Sequence, residues 1–292
     1  MPDILVTGMP RSGTTLLASL LNRYPNAVAL AEPFNLSGHS DRNAAAAHVV
    51  TLMTDCRTRA LAGAPITTKH MAGEIPDNWV EPPAEAGRLR RVLEERGELL
   101  FNKPLSDDFA LVVKHPAEFT ALADLLTNRF PLYAMVRDQM AVLGSWQTVD
   151  MPVNRGRMPM LELLAPPFLR AELDGIGTPL ERQVRLLEFQ LQTYLALPPG
   201  RIIRYEDFVA HPEAVLALFC AGRPTLPAPM VYDPTELYPG IDFALLAKSL
   251  TRLLPLIETI YPEFRNRWHD YFPSRAAAGF RIAEGGAETA PV

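Results

Sequence analysis

Apolar residues occur along this chain in short runs broken by polar turns, and the runs are of two kinds. Ile4, Leu5 and Val6 are continuously apolar, which suits a strand buried on both faces, and Gly8 with Pro10 punctuates its end. From Thr14 to Leu21 the apolar positions Leu16, Leu17, Leu20 and Leu21 recur at steps of one, three and four, the stripe of a helix packed on a sheet. The same reading predicts further strands over 27–31, 109–113, 132–136 and 201–204. Helices are expected over 44–61, 84–100, 117–128, 139–148, 179–197 and 245–261, with another from Pro212. Within 84–100 the run RLRRVLEER reads as a solvated helical face. Stretches 63–83 and 151–178 show little periodicity, and a segment as long as the second is often a lid or substrate loop. Alternating strands and helices imply an α/β fold with a parallel central sheet flanked by helices. We expect one domain over 1–275, with 151–178 as a lid, and a flexible tail over 276–292, whose composition is small and polar.

Composition narrows the partners. In 292 residues, 48% apolar content is enough for a sizeable core. A net charge of −5 argues against a general nucleic-acid or anionic-membrane binder, so any anionic ligand must be held by a few local cations. Cys56 and Cys220 are too few for a disulfide framework and lack metal-ligand spacing. They read as small buried hydrophobes in a reducing cytoplasm. Asp3 stands where a signal peptide would be basic, and no apolar run approaches the roughly 18 residues of a membrane span. A cytoplasmic protein without a membrane anchor is expected.

The turn after the first strand carries the chemistry. A helix beginning at Gly13 points its free N–H groups and positive dipole end into the loop, where they can hold an anion. Ser12, Thr14 and Thr15 add hydroxyl donors. Gly8, Gly13 and Thr15 fit the triphosphate loop G-x-x-x-x-G-K-[ST], but Thr14 stands in place of the lysine that reaches the β and γ phosphates. Arg11 is the cation of this loop. A tight turn with no ligand is the plainer alternative.

The run PRSGTTLL resembles the 5′-phosphosulfate loop of sulfotransferases that use 3′-phosphoadenosine 5′-phosphosulfate (PAPS), usually written PKSGTTW or PRSGTTLL. The resemblance covers about 4–216 and implies a P-loop-like, three-layer architecture with Pro10, Arg11, Ser12, Gly13, Thr14 and Thr15 holding the donor. It extends to RDQMAVLGS, where Arg137 and Ser145 keep the gap of eight that binds the 3′-phosphate in the family's R-x-P-x5-S pattern. A gap of eight also places the serine about two turns into a helix whose start the arginine flanks, so both can face one phosphate. Gln139 replaces the usual proline, which changes how the helix begins but removes no phosphate ligand. Glu32 follows the second strand, where the family has a glutamate that serves as base or substrate contact; a loop carboxylate or helix cap is the bland reading. Lys114, His115 and Pro116 end the third strand, and His115 precedes Arg137 by 22 residues, the gap found in cytosolic sulfotransferases. RYEDFVAHPEAVL resembles the family segment R-Y-E-D-L-x-x-x-P that supports the sheet beside the donor. No late basic, glycine-containing segment or tryptophan-lysine pair is present to close over the 3′-phosphate.

The activity so implied moves a sulfuryl group from PAPS to a hydroxyl or amine of a small-molecule, lipid or carbohydrate acceptor. The transferred group carries less charge than a γ-phosphoryl, and no carboxylate pair for Mg²⁺ is evident, so no metal is expected. In a loose transition state charge builds on the bridging oxygen, where Arg11, supported by Lys114, would meet it. Glu32 and His115 are the two candidates for the base. His115 ranks first, since imidazole titrates near about 6.5 and a carboxylate near about 4.3; the alternative is a histidine that only hydrogen-bonds backbone. Met151, Met158, Met160 and Phe168 hint at an apolar acceptor, and Trp79 lines a pocket or belongs to the core. A P-loop-type small-molecule kinase and a catalytically silent nucleotide-binding protein are the competing readings.

Overall fold

The computed structural model describes residues 3–82, 88–222, 238 and 240–265. Its elements begin with β1 (Ile4–Gly8), α1 (Thr14–Leu21), β2 (Ala27–Ala31) and α2 (Arg42–Leu61), then β3 (Ile66–His70), β4 (Glu95–Leu99) and β5 (Ala110–Lys114). They continue with α3 (Glu118–Ala121), α4 (Ala123–Leu126), β6 (Leu132–Val136), α5 (Gln139–Gln147), α6 (Pro159–Leu164), α7 (Phe168–Gly175), α8 (Pro179–Leu195) and β7 (Ile202–Arg204). Five strands form one parallel sheet in the order β2-β5-β1-β6-β7, flanked by helices, as the alternating pattern predicts. Every residue of β1, β2, β5 and β6 is buried, which explains why these strands are continuous apolar runs rather than alternating ones. β1 is central, with β5 on one side and β6 on the other. Its C-terminal end is therefore the crevice where open α/β sheets take their ligands.

Three expectations change. No helix forms from 88 to 100: Arg90 bridges to Val149, Val92 to Val80, and β4 pairs antiparallel with β3. Residues 83–87 of that expectation lie outside the described residues. The strands were hidden because ITTKH and ERGEL carry polar or charged side chains on both faces, so neither shows a period of two. Stretch 151–178 is not irregular but holds a 3-10 turn (Pro152–Arg155), α6 and α7. Prolines at the first turn start the first two of these pieces, and none is long enough to show a helical stripe in sequence. Leu161, Leu164, Leu169 and Leu173 from this stretch are buried in the core. Finally, 117–128 breaks at Leu122 into α3 and α4, and 245–261 is divided by a 3-10 turn at Thr251–Leu253.

The expected tail lies outside the described residues, as does most of the proline-rich stretch before Gly240. Cys56 and Cys220 are buried and free. Among the described residues no helix is long and apolar enough to cross a membrane.

Candidate functional site

The loop between β1 and α1 is shaped by close packing. Arg11 (φ 72°) and Gly13 (φ 92°) both lie in the left-handed region, and a Cβ on Gly13 would sit 2.4 Å from the Tyr205 ring. Only glycine fits there. Trp146 Nε1 donates to the Pro10 carbonyl at 2.9 Å and Arg137 Nη1 to the Arg11 carbonyl at 2.9 Å, so α5 and the end of β6 fix the loop. Thr14 and Thr15 begin α1, whose first turn carries no side-chain cap. Ser12 is fully buried, with no hydrogen-bond partner for its hydroxyl, and lies beneath the loop beside Gly8.

Arginines gather beside this loop. Asp138 caps α5 by accepting from the Met140 and Ala141 N–H groups, which serves in place of the proline that Gln139 replaces. Ser145, two turns on, accepts from Arg11 Nε at 3.2 Å, so Arg11, Arg137 and Ser145 are brought together. The Tyr205 ring lies 4.8 Å from the Arg137 guanidinium. Sequence reasoning gave that segment a supporting role, which Glu206 fulfils by accepting from the Asp138 N–H at 3.0 Å.

Two further residues were missed altogether. Arg90, assigned from sequence to a solvated helix, is buried on the wall of the cavity, and Tyr238 packs 5.5 Å from its guanidinium. Burial lowers the Arg11 pKa to about 10, with Arg90 and Arg137 acting in the same direction against Tyr238. Burial alone would raise the Tyr238 phenol, but Arg137, a hydrogen bond to Ser145, Arg11 and Arg90 together pull it below the ordinary tyrosine value. Among the described residues neither Arg11 nor Arg90 has a carboxylate partner. Cations held at a cavity wall without carboxylate counter-charges make a site that a polyanion completes.

A carboxylate stands across the sheet edge. Glu32 follows β2 in a left-handed conformation (φ 51°), held by its N–H donating to the Lys114 carbonyl at 2.8 Å and its carbonyl accepting from Arg96 at 2.7 Å. Its two oxygens meet Lys114 Nζ at 2.9 Å and Lys69 Nζ at 2.7 Å, and Lys69 also pairs with Glu94 at 2.7 Å. Burial would raise the Glu32 pKa, but Lys114 and Lys69 hold it well below the usual carboxylate range. Lys69 is lowered by burial and raised more by Glu32 and Glu94, to about 12. For Lys114 burial outweighs Glu32, and its pKa falls. Lys114 Nζ also lies 3.4 Å from Thr15 Oγ1 and 4.2 Å from the centre of the Trp79 ring.

His115 lies apart from this group. It is 0% exposed, between the Phe34 and Phe119 rings at 5.2 and 4.9 Å, and does not line the cavity. Its Nε2 accepts the Phe34 N–H at 3.0 Å, so a neutral ring carries its proton on Nδ1. Nδ1 is 3.2 Å from Glu118 Oε2, out of line for a hydrogen bond. With its Nε2 lone pair occupied and its ring off the cavity wall, His115 holds the backbone after Glu32.

One cavity of about 710 Å³ joins these parts, a volume in the range of small-ligand sites. Pro10, Arg11, Gly13, Thr14, Thr15, Arg90, Arg137 and Tyr205 share its wall with Glu32, Lys69, Lys114 and Trp79. Ser12 and Ser145 lie behind that wall. Met151, Pro152, Met158, Pro159 and Met160 supply an apolar side, whereas Phe168 is 50% exposed and off the wall. Among the described residues no group of three His, Cys, Asp or Glu side chains could hold a metal ion.

A family model described as "Sulfotransferase family" matches residues 2–222, which include the loop, Glu32, Lys114, Arg137 and Tyr205. No curated protein matches the chain.

Proposed function

The chain belongs to the sulfotransferase family, whose members move sulfuryl groups and generally draw them from PAPS, and we propose that this protein transfers the sulfuryl group of PAPS to a hydroxyl or amine of a small acceptor with an apolar body. The observation that carries this reading is the place of Lys114. Its ammonium lies between Glu32, at 2.9 Å, and Thr15 at the head of the phosphate-loop helix, at 3.4 Å. A proton acceptor and an anion-binding helix end therefore address neighbouring points.

PAPS would supply a sulfuryl group on its 5′-phosphate and depart as 3′,5′-diphosphoadenosine. The first-turn N–H groups of α1, with Thr14, Thr15 and Arg11, would hold the phosphosulfate. Arg137 and Ser145, beside Arg11, fit the 3′-phosphate, and the gathering of guanidiniums there, with no carboxylate partner for Arg11 or Arg90 among the described residues, is the feature of this structure that such a dianion suits. Arg11 and Lys114 would meet the negative charge that grows on the bridging oxygen; one well-aimed donor of this sort typically contributes about 2.7–4 kcal/mol.

Glu32 would accept the acceptor's proton. Clamped by Lys114 and Lys69, it is ionised throughout the working range and only weakly basic. A weak base suffices when the proton leaves late, because the acceptor oxygen becomes strongly acidic as it bonds to sulfur. The methionines and prolines of 151–160 would form the acceptor wall, since flexible thioethers adapt to apolar shapes.

Thermal unfolding with 3′,5′-diphosphoadenosine, with ATP and Mg²⁺, and with neither tests the donor. Binding at about 100 times Kd stabilises the fold by roughly 2.7 kcal/mol. Stabilisation is expected from the diphosphate alone; stabilisation only by ATP with Mg²⁺ would favour a kinase and overturn the reading.

A further inference from the structure

Arg90 is 6% exposed and lies on the cavity wall, although it belongs to neither of the two phosphate-binding motifs. Its backbone is joined to the end of α5: the Arg90 N–H donates to the Thr148 carbonyl at 2.8 Å, and its carbonyl accepts from the Asp150 N–H at 2.9 Å. One guanidinium nitrogen donates to Thr148 Oγ1 at 2.7 Å. The side chain also hydrogen-bonds Tyr238, and since a guanidinium has five N–H donors in a planar fork, these two contacts leave further donors for the cavity that Arg90 lines. The charges that bear on it are those of Tyr238 and of a second guanidinium, Arg137, and Arg11 feels Arg90 in turn. Three arginines thus converge on one patch, and among the described residues the two whose partners are set out above, Arg11 and Arg90, have no carboxylate. Like charges gathered in a low-dielectric wall repel strongly. The arrangement becomes favourable when a compact dianion with several acceptor oxygens sits among them.

We propose that Arg90 is a third guanidinium of the 3′-phosphate subsite, completing from the extended segment before β4 what Arg137 and Ser145 begin. This rests on the reading that Arg137 and Ser145 take a 3′-phosphate. Because Arg90 is hydrogen-bonded to the end of the helix that carries Ser145, the two approach the ligand as one unit. Arg90 then separates nucleotides bearing a 3′-phosphate from those with a 3′-hydroxyl, a binding role that serves the donor alone.

Calorimetric titration of the full chain with 3′,5′-diphosphoadenosine and with 5′-AMP tests this in the wild type, Arg90→Ala and Arg90→Lys. A charged hydrogen bond lost from a phosphate corresponds to a rise in Kd of roughly ten- to a hundredfold. Arg90→Ala is expected to weaken the diphosphate by that factor and 5′-AMP by less than about threefold, with Arg90→Lys intermediate. A ratio of the two Kd values unchanged from wild type overturns the proposal, whether both affinities fall together or neither does. If Arg90→Ala does not fold, judged by circular dichroism, Arg90→Lys decides: a ratio moved at least about threefold towards 5′-AMP supports the role, and an unmoved ratio overturns it. A wild type without preference for the diphosphate would overturn the 3′-phosphate reading itself and Arg90's role with it; a wild-type preference that survives in both variants overturns Arg90's role alone.

Discussion

Replacing Glu32 by glutamine removes the charge that Lys114 pairs with while leaving its shape almost unchanged. The Lys114 side chain is 3% exposed, and what would remain near its ammonium is the uncharged glutamine amide, a hydroxyl at 3.4 Å and the Trp79 face at 4.2 Å. The lysine then either stays charged without a counter-charge or loses its proton. Proton loss sets the ceiling: an unfolded lysine titrates near about 10.4, so holding it neutral at pH 7 costs about 1.36 kcal/mol over each of roughly 3.4 pH units, or about 4.6 kcal/mol. The Trp79 face and water admitted by the cavity lower this, and a loss of about 3 kcal/mol is expected. Lys114→Met should cost less, no more than about 1.5 kcal/mol, because Glu32 keeps Lys69 at 2.7 Å and is itself 21% exposed.

The double variant Glu32→Gln/Lys114→Met, with neither charge left in excess, should be more stable than Glu32→Gln alone. The pH dependence has a definite sign. With Lys114 depressed below its unfolded value, the unfolded chain binds the extra proton, so the stability of Glu32→Gln rises with pH up to about 10 and its deficit shrinks between pH 7 and 9.5. The wild type shows the same sign at the acid end, because Glu32 is held low: stability present above about pH 4.3 is lost as pH falls. Urea unfolding followed by tryptophan fluorescence measures all of these. A larger loss for Lys114→Met than for Glu32→Gln, or a deficit equal at pH 7 and 9.5, would refute the reasoning.

Gly13→Ala combines left-handed backbone strain with a Cβ 2.4 Å from Tyr205, and should destabilise by about 2–4 kcal/mol while weakening nucleotide binding; wild-type stability by urea unfolding would contradict the packing described. Arg137→Ala should greatly weaken 3′,5′-diphosphoadenosine and barely affect 5′-AMP in direct titration, and equal losses would contradict a 3′-phosphate role. In turnover assays, an acidic phenol that needs little deprotonation should largely rescue Glu32→Gln but not His115→Ala, whose defect is misplacement of the Phe34 backbone; the reverse pattern would return the base to His115.

The parts of the site legible in the sequence are those carried by buried strands and their ends. β1, β2, β5 and β6 are unbroken apolar runs, so the positions after them, Pro10 to Thr15, Glu32, Lys114 and Arg137, could be placed on one sheet edge without coordinates. The hairpin of β3 and β4 was not legible, because its side chains are polar on both faces and its partners come from elsewhere in the chain. Lys69 and Glu94 steady Glu32, and Arg96 holds its backbone, yet in sequence Glu94 and Arg96 read as a solvated helical face and Lys69 as part of a stretch without periodicity. Arg90 was hidden for the same reason, since its burial arises from a bridge to Val149 that no local pattern announces. His115 shows the opposite limit. Its spacing and residue type suited a base, but the backbone N–H of Phe34 occupies its Nε2 lone pair, a tertiary fact invisible to spacing.

Incubation with PAPS labelled in the sulfuryl group, a panel of phenols, aliphatic alcohols and amines, and EDTA tests the central claim most directly. The account predicts label on an acceptor together with an equal amount of 3′,5′-diphosphoadenosine, unaffected by chelation and lost in Glu32→Gln with the alcohols. Release of no diphosphate and no labelled acceptor, with γ-label from ATP and Mg²⁺ appearing on the same panel instead, would contradict it.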